Sequence, residues 1–135
     1  MNATREQRIL VVDDELALRV LMQQYLTRLG YEVEACATGT EALERLRNEP
    51  QLYWLVLADI VMPEVSGPQL VLTLLRSNPK LCVLVCSGVP FPVSTLPPEY
   101  HGQVRYLAKP FAPQMLAAAV RELEEVARRG RSAES

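Results

Sequence analysis

Five side chains suited to an acidic, cation-holding site stand directly after apolar runs. Asp13 and Asp14 follow the run 9–12, Asp59 follows 55–58, Ser87 follows 81–86, and Lys109 follows the run ending at Ala108. Taken singly, each is explained as a turn or cap residue. Taken together, they place three carboxylates, one hydroxyl and one ammonium at the ends of strand-like segments. Two carboxylates about 4 Å apart repel by roughly 4 kcal/mol at an effective dielectric near 20. Lys109 offsets only one of the three charges. Either a carboxylate keeps its proton, or a divalent cation completes the balance. Hard oxygen ligands with open water positions favour Mg2+.

The elements that must position these groups follow from the apolar pattern. Short apolar runs over 8–12, 52–58, 81–86 and 103–108 read as strands, and those apolar throughout read as buried on both faces. A further strand over 31–37 alternates Val33 and Ala35 with Glu32 and Glu34, which suits a sheet edge with one partly wet face. Between strands, Leu18, Leu21, Met22, Tyr25 and Leu29 form one helical stripe, stopped by Gly30 as a left-handed cap. Thr38 and Glu41 form a capping box for a helix burying Ala42, Leu43 and Leu46. Ser66 and Pro68 open a helix burying Leu70, Val71, Leu74 and Leu75. Pro113 opens the last helix, with Leu116, Val120, Leu123 and Ala127 inward. Pro90, Pro92, Pro97 and Pro98 rule out a regular helix after the fourth strand, because an interior proline costs ~3 kcal/mol. Strands alternating with helices call for a parallel sheet covered on both faces. The carboxyl ends of such strands share one edge, where ligand sites form.

The 135 residues suffice for one self-sufficient domain. A net charge of −2 argues against DNA as a general partner. No apolar run approaches the ~20 residues of a membrane helix, and residues 1–7 lack the apolar core of a signal peptide, so a cytoplasmic location is expected. Cys36, Cys82 and Cys86 lie in apolar runs without a C-x-x-C pair, and are expected to be buried, reduced thiols. His101 stands alone and reads as a solvated loop residue.

Four motifs in order, Val12-Asp13-Asp14-Glu15, Asp59-Ile60-Val61-Met62-Pro63 with Ser66-Gly67, Cys86-Ser87-Gly88, and Tyr106-Leu107-Ala108-Lys109-Pro110-Phe111, resemble the receiver domain of two-component response regulators. Each is weak alone; together, at these separations, they are specific. The resemblance covers residues 8–128 and implies a flavodoxin-like, doubly wound, five-stranded parallel sheet of order 2-1-3-4-5. The four prolines leave its fourth helix degenerate or missing. The implied organisation is an N-terminal extension over 1–7, the receiver over 8–129 and a disordered tail over 130–135.

By the same resemblance Asp59 is the phosphoacceptor, taking a phosphoryl group from a phosphohistidine. Asp14 and Asp59 hold Mg2+ directly, Asp13 largely through water, and the Val61 backbone carbonyl is a further ligand. Lys109 and Ser87 stabilise the phosphoryl oxygens, Ser87 and Tyr106 form a conformational switch, and Lys109-Pro110 is a candidate cis peptide. The implied partner is a histidine kinase or histidine phosphotransfer domain. The chain is then a stand-alone receiver or part of a hybrid histidine kinase, with the Cys-Ser-Gly segment and the prolines leaning toward the hybrid type. It is a signalling domain rather than an enzyme, with self-catalysed phosphotransfer and dephosphorylation only. Val61 and Val89 flank the site with apolar side chains, which suggests slow loss of phosphate.

Rival readings are an aspartyl-phosphate phosphohydrolase and a phosphorylation-independent scaffold pseudo-receiver. The first lacks the second acid of an Asp-x-Asp pair, since residue 61 is Val. The second leaves the three acids, Ser87 and Lys109 without a role. A flavodoxin-like cofactor binder would need a glycine-rich phosphate loop, which is missing from the chain.

Overall fold

The computed structural model describes residues 7–59 and 67–134. In chain order the elements are β1 (Arg8–Val12), α1 (Leu16–Arg28), β2 (Val33–Cys36), α2 (Gly39–Asn48), β3 (Tyr53–Ala58), α3 (Gly67–Ser77), β4 (Cys82–Ser87), 3-10 turns at Val93–Thr95 and Pro98–Gln103, β5 (Val104–Ala108) and α4 (Pro113–Glu134). The strands form one sheet of order β2-β1-β3-β4-β5, with every neighbouring pair parallel. This is the parallel, doubly covered sheet expected from the strand pattern, in the flavodoxin-like order that the family resemblance implies.

Alternation along the strands divides the core in two. Leu10, Val12, Val56, Ala58, Val83 and Val85 face α2 and α3, while Ile9, Val11, Leu55, Leu57, Leu84 and Cys86 face α1 and α4. Every residue of β3 and β4 is buried, because both strands are central and covered on both faces. Full burial of one such Leu or Val is worth roughly 1.5–3 kcal/mol. The inward residues expected of α3 and α4 are all buried.

The stripe expected on α1 is corrected. Met22 and Leu26 are its buried residues, whereas Leu21 is 62% and Leu29 46% exposed. Apolar side chains occupy more than one face of this helix, so periodicity alone could not select the inward one. Gly30 closes α1 with φ +101°, the left-handed conformation that favours glycine. At α2 the Thr38 hydroxyl accepts the Glu41 N–H at 3.1 Å, one half of the expected box. The Glu41 carboxylate pairs with Arg45 at 2.9 Å. α4 continues to Glu134, through most of the stretch 130–135 for which a disordered tail is expected.

No α-helix follows β4. Phe91 and Leu96 plug the core on the face shared with α2 and α3. The Pro92 carbonyl accepts the Thr95 hydroxyl at 2.7 Å. Gln103 Nε2 donates to the carbonyls of Pro79 at 2.6 Å and Leu81 at 2.8 Å. His101 is half-buried, with Nε2 at 2.7 Å from the Leu96 carbonyl, so it is a tethering residue rather than a freely solvated one. The segment is thus pinned by two apolar anchors and local hydrogen bonds.

β2 is an edge strand, as its alternation suggests, but Glu34 is only partly wet. Its carboxylate pairs with Arg8, accepts from Arg45 Nη1 at 2.9 Å, and accepts the Tyr53 hydroxyl at 2.6 Å. Burial works to raise the Glu34 pKa, but the bonds from Tyr53 and Arg8 outweigh it, and the net shift is downward. Glu34 therefore contributes stability above the ordinary carboxylate range, lost as pH falls through its lowered folded value. Glu34→Ala is expected to cost about 1–2 kcal/mol at pH 7 in urea denaturation, given the partial exposure of both arginines. The difference from wild type should shrink at pH 3. An unchanged midpoint at pH 7 would contradict this role.

Candidate functional site

The parallel sheet brings four strand ends to one edge. Asp13 and Asp14 follow β1, Asp59 follows β3, Ser87 ends β4, and Lys109 follows β5. Backbone bonds hold them in register. Asp13 N–H donates to the Cys36 carbonyl at 3.2 Å, Asp59 N–H to the Val12 carbonyl at 3.1 Å, and Lys109 N–H to the Ser87 carbonyl at 2.9 Å. The sheet ladder thus runs into the site itself.

Lys109 Nζ donates to Asp13 Oδ2 and to Asp59 Oδ2, each at 3.0 Å. Burial acts to lower the pKa of this ammonium, but its hydrogen bonds to Asp59 and Asp13 prevail and raise it. Asp13 is fully buried, and its other oxygen accepts the Glu15 N–H at 2.9 Å. Oxygens of Asp13, Asp14 and Asp59 lie within 4.8 Å of one another, with Asp14 exposed to solvent. Three hard oxygen donors that close, with one open to water, fit a divalent metal ion. The Val61 carbonyl, also expected to contribute, lies outside the described residues.

Ser87 is fully buried, and its Oγ accepts the Val89 N–H at 3.1 Å. That bond leaves the hydroxyl proton available to a second acceptor. Tyr106 is half-buried, and its hydroxyl donates to the Ser87 carbonyl at 3.1 Å. The Lys109-Pro110 peptide is cis. Cys86, on the opposite face of β4, has its thiol pushed up to about 12 by burial, and Cys36 is raised to about 11, also mainly by burial. Cys82 is buried as well, its Sγ 3.6 Å from the Leu123 carbonyl, so all three cysteines lie buried as expected.

Two features escaped the sequence reading. Arg19, on the first turn of α1, donates from Nη1 to the Asp13 carbonyl at 2.8 Å. Its signal, an arginine shortly after an acidic pair, is weak without the fold. Beside the acids, Leu18, Leu21, Tyr25, Pro110, Phe111 and Pro113 line an open apolar hollow of about 440 Å³. It takes in the exposed Leu21, but not the exposed Leu16, Val20 and Leu29.

Residues 9–121 match the response regulator receiver domain. The chain belongs to that family. It is 29% identical over 121 residues to the chemotaxis protein CheY of Thermotoga maritima, covering 88% of this chain and 98% of that protein. It is 32% identical over 117 residues to the sensor kinase CckA of Brucella abortus, covering 87% of this chain but only 12% of the kinase. Among solved structures, the Mg2+–BeF complex of the response regulator TrrA from Thermotoga maritima superposes with a TM-score of 0.74 at 30% identity, covering 87% of this chain and 98% of that one. Among the described residues of this receiver, no helix is long and apolar enough to cross a membrane.

In the receiver the Lys109 ammonium is the cation shared by two poorly hydrated carboxylates. Lys109→Met leaves Asp13 and Asp59 facing each other without it, at an expected cost of about 2–4 kcal/mol in metal-free buffer. A divalent cation should recover much of that loss. Because the lysine pKa is raised, its wild-type contribution persists below the ordinary lysine range and is lost as pH rises through the folded value. Urea denaturation with and without Mg2+ checks this; a Lys109→Met chain as stable as wild type without metal would contradict it.

Proposed function

We propose that this receiver takes a phosphoryl group from the phosphohistidine of a histidine kinase or histidine phosphotransfer domain onto Asp59, with Mg2+ bound at Asp13, Asp14 and Asp59. The observation that carries the proposal is the clustering of three carboxylates, with oxygens within 4.8 Å of one another, two of which, Asp13 and Asp59, bond Lys109 Nζ at 3.0 Å. The Mg2+–BeF complex of TrrA supports the choice of cation and of phosphoryl chemistry.

An Asp59 carboxylate oxygen attacks phosphorus as the bond from phosphorus to the imidazole nitrogen breaks. The electron pair returns to the ring, which departs as neutral imidazole if its other nitrogen carries a proton. The product is an acyl phosphate on Asp59. When bound, Mg2+ neutralises charge on the phosphoryl oxygens and on the acids around them. Lys109 leaves its Asp59 partner to pair with a phosphoryl oxygen, and the Ser87 hydroxyl donates to another. Val61 adds its backbone carbonyl as a further ligand.

The switch follows from the same bonds. A Ser87 hydroxyl drawn toward a phosphoryl group pulls on the Val89 N–H that it accepts, which shifts the start of the 88–103 segment. Tyr106, already bonded to the Ser87 carbonyl, then repacks against that strand end. A local charge change thereby biases a two-state element. The apolar hollow beside Lys109 offers a surface for the donor protein, which must bring an imidazole within bonding reach of Asp59. The likeness to a stretch of CckA supports a role beside or within a histidine kinase. Chemistry beyond transfer and self-dephosphorylation is not part of this reading.

Acetyl phosphate with Mg2+ should give one phosphoryl adduct by intact mass spectrometry, absent without Mg2+ and absent in Asp59→Asn. Steady turnover of phosphomonoesters beyond one equivalent would favour a phosphohydrolase, and a folded wild type with no adduct would favour a scaffold. Val89 places an exposed apolar side chain next to Ser87, so little polar help reaches an attacking water. The adduct should therefore persist for minutes or longer after the donor is removed, and decay within seconds would contradict that.

A further inference from the structure

Asp14 poses a problem that the site itself does not solve. Its carboxylate is exposed, and no described side chain or backbone group is seen to hold it. Asp13 is fixed by Lys109 and by the Glu15 N–H, and Asp59 by Lys109. The aim of Asp14 therefore depends on its backbone. The peptide joining residues 13 and 14 carries the Asp13 carbonyl, and that carbonyl accepts Arg19 Nη1 at 2.8 Å. Arg19 is itself anchored, being half-buried in the first turn of α1, with its N–H bonded to the Glu15 carbonyl at 3.0 Å. The helix has no side-chain cap at its start, so this arginine is the group that ties α1 back to the turn carrying both acids.

Resting on the metal-site reading above, we propose that Arg19 is a positioning residue for the divalent cation. It touches neither metal nor phosphoryl group. By holding the Asp13 carbonyl it fixes the peptide plane from which Asp14 projects, so that Asp14 meets the ion without first losing conformational freedom. Groups that orient metal ligands from behind commonly change affinity by about tenfold or more when removed.

The sign of the effect separates this role from a purely electrostatic one. A guanidinium near three carboxylates opposes cation binding by charge alone. Removing it would tighten Mg2+ binding if charge were its contribution, and weaken binding if positioning is.

The test is isothermal titration of the intact, metal-free chain with MgCl2, for wild type, Arg19→Met, Arg19→Lys and Asp14→Asn, each with a thermal melt in metal-free buffer. Arg19→Met is expected to lose about tenfold in Mg2+ affinity, while Arg19→Lys, which keeps a donor of similar reach, stays near wild type. The metal-free melt of Arg19→Met should move far less than the increment Mg2+ adds. Mg2+ binding by Arg19→Met as tight as or tighter than wild type overturns the positioning role and leaves the site reading intact. An equal loss in Arg19→Lys and Arg19→Met also overturns it, since a donor to the carbonyl would not suffice. Absence of Mg2+ binding by wild type overturns the site reading and this inference with it.

Discussion

The site depends on one shared cation. Lys109 bonds Asp13 and Asp59 at equal distance, in a pocket where Asp13 has no access to water. Buried carboxylates are tolerated when paired and hydrogen-bonded, and are costly otherwise. The lysine comes from the end of β5 and the two acids from the ends of β1 and β3, so its pairing links three of the five strands across the edge. It also keeps the acids close enough for a metal ion to replace one ammonium contact with several of its own.

The sheet makes this possible without a specially built loop. Parallel strands all deliver their carboxyl ends to the same side, and β3 and β4 are covered on both faces, so their register is firmly set. Catalytic geometry held by a sheet ladder is stiffer than geometry held by loops. The proposed switch draws on local groups: the Ser87 hydroxyl, the Tyr106 ring and the segment that follows β4. That segment is anchored by Phe91 and Leu96 rather than by a helix. Prolines keep it from becoming helical, and local hydrogen bonds complete its hold on the core.

Much of this was readable from residue order. Asp13, Asp14, Asp59, Ser87 and Lys109 could be placed on one edge because each ends an apolar run, and parallel strands leave no other arrangement. The strand order came from the family resemblance and agrees with the observed pairing. The loss of a helix after β4 was legible because proline removes a backbone donor wherever it stands. The buried face of α1 was not, since Leu16, Leu18, Val20, Leu21, Met22 and Leu26 leave no single stripe for periodicity to find. Arg19 was missed because a bond from a side chain to a backbone carbonyl six residues earlier has no compositional signature. The tether formed by Glu34 with Arg8, Arg45 and Tyr53 was hidden for another reason: it joins residues from three strands and a helix that only the fold brings together.

The central claim is that the acids, Lys109 and Ser87 form one metal-dependent phosphoryl site coupled to Tyr106. The most direct measurement is amide and side-chain NMR of the chain titrated with beryllofluoride in the presence and absence of Mg2+. The account predicts saturable shifts at residues 13, 14, 59, 87 and 109, extending to Tyr106 and the 88–96 segment, and only when Mg2+ is present. A spectrum that does not change, or that changes equally without Mg2+, would contradict it.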